Sequence, residues 1–249
     1  MRKKGLAIVL AASVAALSVG TVACGGEVVD DITADTNPAD IVSDEVADAA
    51  AWRTAFDYSG RTNFSYKETC ERSEDGQVVF RYSTVCGFNP DKYSYDETNM
   101  VVFVSEQENE QGETVTVGEE INNVYKCYAA VIDEKNYEYE YDSENDAWYR
   151  SERNYDVMDG KKFSLIELYG ELYNGYERFR YADGVYVGEF EDEYITEYSV
   201  KIKYGRVVYI SYVSRMENEE DPAVEEIRTL FIYDIDKTTV TLPTSFKNR

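Results

Sequence analysis

The chain has no histidine at all, only four prolines, four cysteines and two tryptophans in 249 residues, and 25 basic side chains against 49 acidic ones. Each shortage removes something. Without imidazole there is no Ser-His-Asp or Cys-His catalysis and no HExxH zinc site. A formal charge of −24 repels phosphate backbones and anionic headgroups, which argues against nucleic-acid partners and polybasic docking on membranes. No GxSxG, SxxK or Walker phosphate-loop run occurs. Paired carboxylates can run glycoside hydrolysis, but among 49 acids no pair distinguishes itself. The expectation is therefore a protein that is not an enzyme, with no cofactor and no metal. What the chain does have is tyrosine, 23 of them, within a hydrophobic fraction of 43%. That fraction suffices for a folded core.

The first residues read as an export signal. Arg2, Lys3 and Lys4 form a charged start, residues 5–22 are almost wholly apolar, and Thr21, Val22 and Ala23 place small residues before Cys24. This segment resembles a bacterial lipoprotein signal, whose cysteine receives the lipid. The resemblance implies cleavage after Ala23, lipidation of Cys24 and a membrane-anchored location on the extracellular side, or in the periplasm of a two-membrane cell. Thr21 stands where that pattern prefers leucine, and the same residues also fit ordinary signal peptidase. An uncleaved anchor is the third reading, since about 18 apolar residues can just span a bilayer. Removal of residues 1–23 takes away three bases and no acid, so −24 becomes −27. Eight acids and no base then precede Arg53. Residues 24–42 lack apolar periodicity, and Asn37-Pro38 interrupts any helix. They are expected to form a disordered acidic tether spanning about 25 Å at random-coil dimensions. Residues 43–249 are expected to form one domain.

Alternation with a period of two dominates that domain. Tyr137, Tyr139 and Tyr141 share one face of a strand and Glu138 and Glu140 the other; Trp148 lies on the returning strand. Asp183-Gly184 is a hairpin signal pairing Tyr181 with Tyr186 and Arg178 with Glu189. Strands at 195–204 and 207–216 turn about Gly205. Others fall at 77–86, 92–106, 113–118, 124–133, 225–235 and 239–242. A three-residue loop at 74–76 would pair Ser73 with Gln77, Phe64 with Cys86 and Cys70 with Phe80. In that register Cys70 and Cys86 sit about 20 Å apart along the strands, beyond the roughly 7 Å a disulfide allows. In an oxidising exterior any bridge should therefore join Cys127 to Cys86 or Cys70; three free thiols are the alternative. Two helices stand out. One runs 43–57, capped by Ser43, with Val46, Ala49, Trp52 and Phe56 on one stripe. The other runs 161–173, capped by Asp159, with Phe163, Ile166, Tyr169 and Leu172 on one face.

The expected class is mainly β (α+β). Two helices cannot cover about ten strands, so the expected form is a curved antiparallel sheet, a half-barrel, with the helices on or in its concave face. The order of helix with Trp52, tyrosine-rich hairpins, Trp148 hairpin, central helix and closing hairpins through Pro243 resembles the half-barrel lipoprotein superfamily. That group includes the LolA-like carriers and the LppX- and LprG-like mycobacterial lipoproteins. The resemblance spans residues 43–246. It implies an apolar cavity holding acyl chains, though these strands offer fewer Leu, Ile and Val than such a cavity wants, which favours a more polar ligand. Expected partners are thus the membrane, through lipid on Cys24, and a lipid, lipoglycan or glycan ligand whose contact residues the sequence leaves unknown; a structural or adhesive domain without small ligand is the alternative. Asp142, Glu144 and Asp146 are spaced like calcium ligands, but the loop lacks the glycine and closing glutamate of such a site. It reads as a solvated turn, as does the acidic run 217–222.

Overall fold

Asp-Gly and related pairs with left-handed backbone turn the chain back on itself repeatedly, and the strands between them build one sheet. The computed structural model describes residues 32–59, 62–108, 114–159, 161, 163–191, 195–216 and 223–249. These belong to a single contact unit, Asp31–Arg249. The signal segment 1–23, Cys24 and the acidic run 217–222 lie outside the described residues. The strands are β1 (Phe64–Glu74), β2 (Gln77–Asn89), β3 (Lys92–Glu108), β4 (Thr114–Ile132), β5 (Lys135–Asp142), β6 (Ala147–Arg153), β7 (Phe179–Ala182), β8 (Val185–Glu191), β9 (Ile195–Lys203), β10 (Arg206–Met216), β11 (Val224–Tyr233) and β12 (Lys247–Asn248). Their order is β12-β6-β5-β4-β3-β2-β1-β11-β10-β9-β8-β7. Two antiparallel meanders, β1–β6 and β7–β11, are therefore zipped together along β1 and β11. Only β12 runs parallel to its neighbour. The sheet does not close. The protein is mainly β, with three short α-helices among the described residues: α1 (Ala49–Phe56), α2 (Leu165–Leu168) and α3 (Gly170–Asn174).

The turns set the registers. Asp75-Gly76, Asp183-Gly184 and Tyr204-Gly205 all have positive φ at both residues, the geometry that matches strand twist in a two-residue hairpin. Tyr181 pairs with Tyr186 as expected. The first hairpin departs from expectation. Glu74 pairs with Gln77, a bulge follows at Arg72/Ser73, and Phe64 then faces Phe88 while Cys70 faces Tyr82. A tighter turn and an added bulge residue together move the register by two positions, so every side chain keeps its face. Arg178 does not reach Glu189. The β7 ladder starts at Phe179, and Arg178 instead lies over the Phe190 ring, 4.7 Å from its centroid.

One face of the sheet carries the helices. The alternation of β1–β4 and β7–β11 delivers Phe64, Cys86, Phe88, Tyr93, Ala129, Tyr186, Val200, Ile210, Leu230 and Ile232 to it, all buried in one cluster with Trp52, Phe56, Leu165 and Leu172. Trp52 sits within 4.9–5.8 Å of the Phe56, Tyr176, Phe179 and Tyr186 rings. Its indole N–H donates to the Leu172 carbonyl at 2.8 Å. Phe163 plugs the other half against Tyr58, Phe64, Tyr66 and Phe88. The expected apolar hollow is filled here by aromatic side chains.

Both helices are shorter than their apolar stripes suggest. Asp48, not Ser43, caps α1, accepting from the Ala50 and Ala51 N–H groups at 2.9 Å. Ser43 is held by β9 instead: its hydroxyl donates to the Ile202 carbonyl at 3.1 Å and accepts from the Ile202 N–H at 2.9 Å. The second helix breaks at Tyr169 (φ −135, ψ 44) into α2, capped by Ser164, and α3. Gly170 follows the break, and Ile166 is exposed rather than packed.

Extended chain covers the opposite face. Residues 32–42, expected within a disordered tether, are ordered. Ile32 and Ile41 are buried against Val208, Phe231 and Tyr233, and Lys201 Nζ donates to the Pro38 carbonyl at 2.6 Å. Pro38 opens a 3-10 turn that Asn37 caps. The expected strand at 239–242 is a strap as well: Val240 is buried, and Thr238 Oγ1 lies 2.8 Å from Ser65 Oγ. Phe246 packs on Tyr139 and on the Arg150 guanidinium, 4.3 Å from its ring centroid. The expected strands 113–118 and 124–133 are one, β4. Beyond Val101 and before Cys127, β3 and β4 pair only with each other among the described residues, as a two-stranded arm.

Trp52→Ala should cost roughly 3–5 kcal/mol, read from urea unfolding of the full chain. Leu168→Ala, at a position 61% exposed, should stay within about 0.5 kcal/mol of the parent.

Candidate functional site

Past the aromatic plug, the helix-side face changes character. Two successive rows of side chains cross it. In the first, Tyr82, Cys70, Arg228, Tyr212 and Tyr198 face one another across β2, β1, β11, β10 and β9. In the second, Arg72, Glu226, Ser214 and Thr196 do so. A cavity of about 290 Å³ opens there, lined by Arg72, Thr196, Tyr198, Tyr212, Ser214, Val224 and Glu226. Arg228 is the next same-face residue on β11, directly opposite Tyr212.

The polar groups are arranged as tyrosine–carboxylate pairs around one guanidinium. Tyr82 donates to Glu68 at 2.8 Å and Tyr212 to Glu226 at 2.8 Å. Tyr198 donates to Glu171, at the start of α3, at 2.5 Å. Thr196 donates to Ser214 at 3.1 Å. The Arg228 guanidinium lies 5.7 Å from the ring centroids of both Tyr82 and Tyr212, within reach of cation–π attraction. Its contacts to Glu68 (3.8 Å) and Glu226 (3.7 Å) are ion pairs longer than hydrogen bonds. Its buried Nε has no hydrogen-bond partner, while a third of the side chain stays exposed.

Electrostatics follow from this packing. Burial, reinforced by neighbouring carboxylates, pushes the Tyr82 and Tyr198 phenols well above their usual range. Burial also pushes Tyr212 upward, against the opposing pull of Arg228. For Arg228 burial works against the charge, but Tyr212, Tyr82 and Glu68 outweigh it and the guanidinium is held above its ordinary value.

The three cysteines among the described residues form no bridge. Cys70, Cys86 and Cys127 are all free. Cys86 faces Tyr95, and Tyr95 faces Cys127, so the two sulfurs' strands stand two spacings apart, about 9–10 Å, beyond disulfide reach. Cys70 lies four residues along β1 from Tyr66, the residue that faces Cys86. The expected pairing of Cys127 with Cys86 or Cys70 is therefore overturned by register. Burial pushes the Cys86 thiol up to about 12. At the calcium-like turn, Asp142 accepts from both the backbone and side-chain N–H groups of Asn145. Among the described residues no three His, Cys, Asp or Glu side chains converge as metal ligands.

None of the groove residues was singled out by periodicity or motif. One signal was available. Arg228 shares a strand face with Leu230 and Ile232, and Glu68 sits between Tyr66 and Cys70 on the same face. A charge in line with a buried stripe marks a place where the stripe leaves the core.

No family model and no curated protein matches the chain. Distant likeness to solved structures exists. The S-type phycobiliprotein lyase CPES from Guillardia theta is 10% identical, with 78% of this chain and 100% of that chain covered, at a TM-score of 0.23. A porin-like protein from Bacteroides uniformis ATCC 8492 is 12% identical, with 69% and 96% covered, at 0.22. Scores this low carry no argument about fold or function.

Two outcomes are expected. Native protein should not alkylate at Cys86 near neutral pH, because a thiol this far raised holds almost no thiolate; labelling should appear only in denaturant, read by peptide mass spectrometry. Stability should fall at alkaline pH. The raised phenols keep their protons when folded, so above the unfolded value of about 10 the unfolded chain binds fewer protons and unfolding becomes easier. The stabilisation is complete below that value and is lost as pH rises through the higher folded values. Urea midpoints taken between about pH 8 and 11 should show this, with a shallower fall in the Tyr198→Phe/Tyr212→Phe double variant.

Proposed function

We propose that this chain is an exported lipoprotein, anchored through lipid on Cys24, whose folded unit binds an amphiphilic ligand without chemical turnover. The ligand class is a lipid, lipoglycan or glycan, and its polar end occupies the groove beside Arg228. One observation carries the reading: on the sheet face that the helices otherwise fill with aromatic rings, an open cavity of about 290 Å³ remains, walled by tyrosines, arginine and carboxylate. Its lining mixes two tyrosine rings with hydroxyl, guanidinium and carboxylate groups, polar groups of the kind that fix a small ligand's orientation. Kinship with half-barrel lipoprotein carriers is part of the proposal, supported by an open antiparallel sheet with helices on one face. Burying whole acyl chains is not, because aromatic rings occupy the space they would need. The signal-like residues 1–23 support export, to the extracellular side or to a periplasm.

A structural or adhesive role is the second reading. The β3–β4 arm favours it, since a ribbon whose edges pair with no third strand among the described residues offers backbone to another chain.

Native mass spectrometry of the protein extracted gently from its producing cell separates the two. Bound lipid or glycan mass supports carriage, and a uniformly empty protein supports adhesion. Cys24→Ser should abolish incorporation of labelled fatty acid and release the protein from membranes. Continued incorporation would remove the anchor from the proposal.

A further inference from the structure

Resting on the anchor at Cys24, we infer that the folded unit meets its own bilayer through one end of the sheet, the end bearing Val42 and Tyr204, and that the surface it fits is a layer of neutral, zwitterionic headgroups. Chain length sets the first limit. Eight residues lead from Cys24 to Ile32, a reach of at most about 26–29 Å. Ile32 is buried against Val208, Phe231 and Tyr233, and its carbonyl accepts from the Asp234 N–H at 2.9 Å. The anchored segment therefore joins the sheet at the end where β11 finishes. Tyr233 pairs with Ser65 there, and Glu74 pairs with Val224 at the opposite end, nine residues along β1 and about 30 Å away.

Exposure sets the second. Val42 and Tyr204 are large apolar side chains left 63% and 59% exposed, and both stand at this end. Tyr204 occupies the β9–β10 turn. Val42 lies against Gly184 of the β7–β8 turn, where a Cβ would meet it at 2.9 Å. One short segment holds the two together. The Ser43 N–H donates to the Gly184 carbonyl at 2.8 Å, and the Asp44 carboxylate accepts from the Tyr204 N–H at 2.8 Å and from Lys203 Nζ at 2.9 Å. An apolar ring with a polar tip suits the headgroup layer of a bilayer. Two side chains alone would hold a membrane weakly. Lipid on Cys24 removes that demand, because it keeps this end at high effective concentration over the bilayer.

Charge sets the third. Lys203 and Arg206 flank the Tyr204-Gly205 turn, but Lys203 is paired with Asp44, and Asp183, Asp234 and Asp236 stand at the same end of the sheet. This end lacks the excess of bases that draws a protein to anionic lipid, so headgroups without net charge are the match. The docking is aromatic rather than polybasic. It also orients the groove. Glu226 lies seven residues along β11 from Tyr233, about 23 Å, so the cavity opens on the side away from the bilayer.

The test uses the full chain with its own lipid, reconstituted into phosphatidylcholine vesicles that carry a nitroxide on the headgroup. Tyr204→Trp places a fluorophore at the proposed surface, and Gln77→Trp places one at an exposed position at the far end. Emission is read against the parent, in which Trp52 and Trp148 set the background. The Tyr204→Trp chain should lose most of its added emission, and the Gln77→Trp chain almost none. Phosphatidylglycerol added to the vesicles should restore part of the lost signal. Should Tyr204→Trp fail to fold, Val42→Trp reports the same end. Vesicle flotation separates the two claims. Protein that floats without quenching at Tyr204→Trp, or with equal quenching at Gln77→Trp, overturns the docking surface and leaves the anchor standing. Stronger quenching on phosphatidylglycerol overturns the choice of neutral headgroups. Protein that does not float overturns the anchor, and the surface with it.

Discussion

A sheet of twelve strands has two faces to hide, and the described residues include three short helices with which to hide them. That constraint governs the rest of the structure. The helices take one face only and cover part of it. Their cover is thickened by aromatic rings, with Trp52 and Phe163 each touching four others. The second face is covered by extended chain from both ends of the domain, with Ile32 and Ile41 from one side and Val240 and Phe246 from the other. Tyrosine suits this economy. It buries a large apolar area while its hydroxyl finds backbone or carboxylate at the margin, as Tyr181 does with the Ser43 carbonyl and Tyr58 with that of Val207.

The groove begins where this cover stops. Side chains on the same strand face pass from Ile232 and Leu230, both buried, to Arg228 and Glu226, half-buried, with no change in backbone geometry. The strands outrun the helices, and the residues beyond them are polar. Site and scaffold are thus one continuous set of ladders, and the polar groups are positioned by register rather than by loops. Rigid strands place such groups more closely than loops do.

Much of the fold was legible from alternation and turn chemistry. The mainly β class, the Tyr181–Tyr186 hairpin, the turn about Gly205 and the single face shared by Tyr137, Tyr139 and Tyr141 all follow from side chains alternating across a pleat. Register was less legible. The two-residue turn and the bulge at Arg72/Ser73 each move the register by one position and together conserve face, so patterning cannot tell the expected pairing from the observed one. Helix ends are not legible from a stripe, because Val46, Ala49, Trp52 and Phe56 also fit a segment that enters as extended chain and winds only at Asp48. The straps were illegible for a similar reason. Residues 32–42 are acidic and aperiodic, and two buried isoleucines are enough to hold them. The groove had no motif to find, since its members come from β1, β2, β9, β10 and β11 and meet only through pairing.

The zipping of two meanders along β1 and β11 has a consequence for how the chain reaches its final state. Each member of that ladder lies at least about 150 residues from its mate, as Glu74 does from Val224. Synthesis runs from the amino terminus, so the first meander can assemble while the second does not yet exist. Throughout that interval the outer rim of β1 holds amide and carbonyl groups without strand partners. Loops this long close slowly, which makes the joining of the halves the slowest topological step and leaves the half-built sheet open to pairing with a neighbour. Lys67 and Glu71, on the β1 face opposite the helices, supply charges of the kind that discourage such a meeting until β11 arrives.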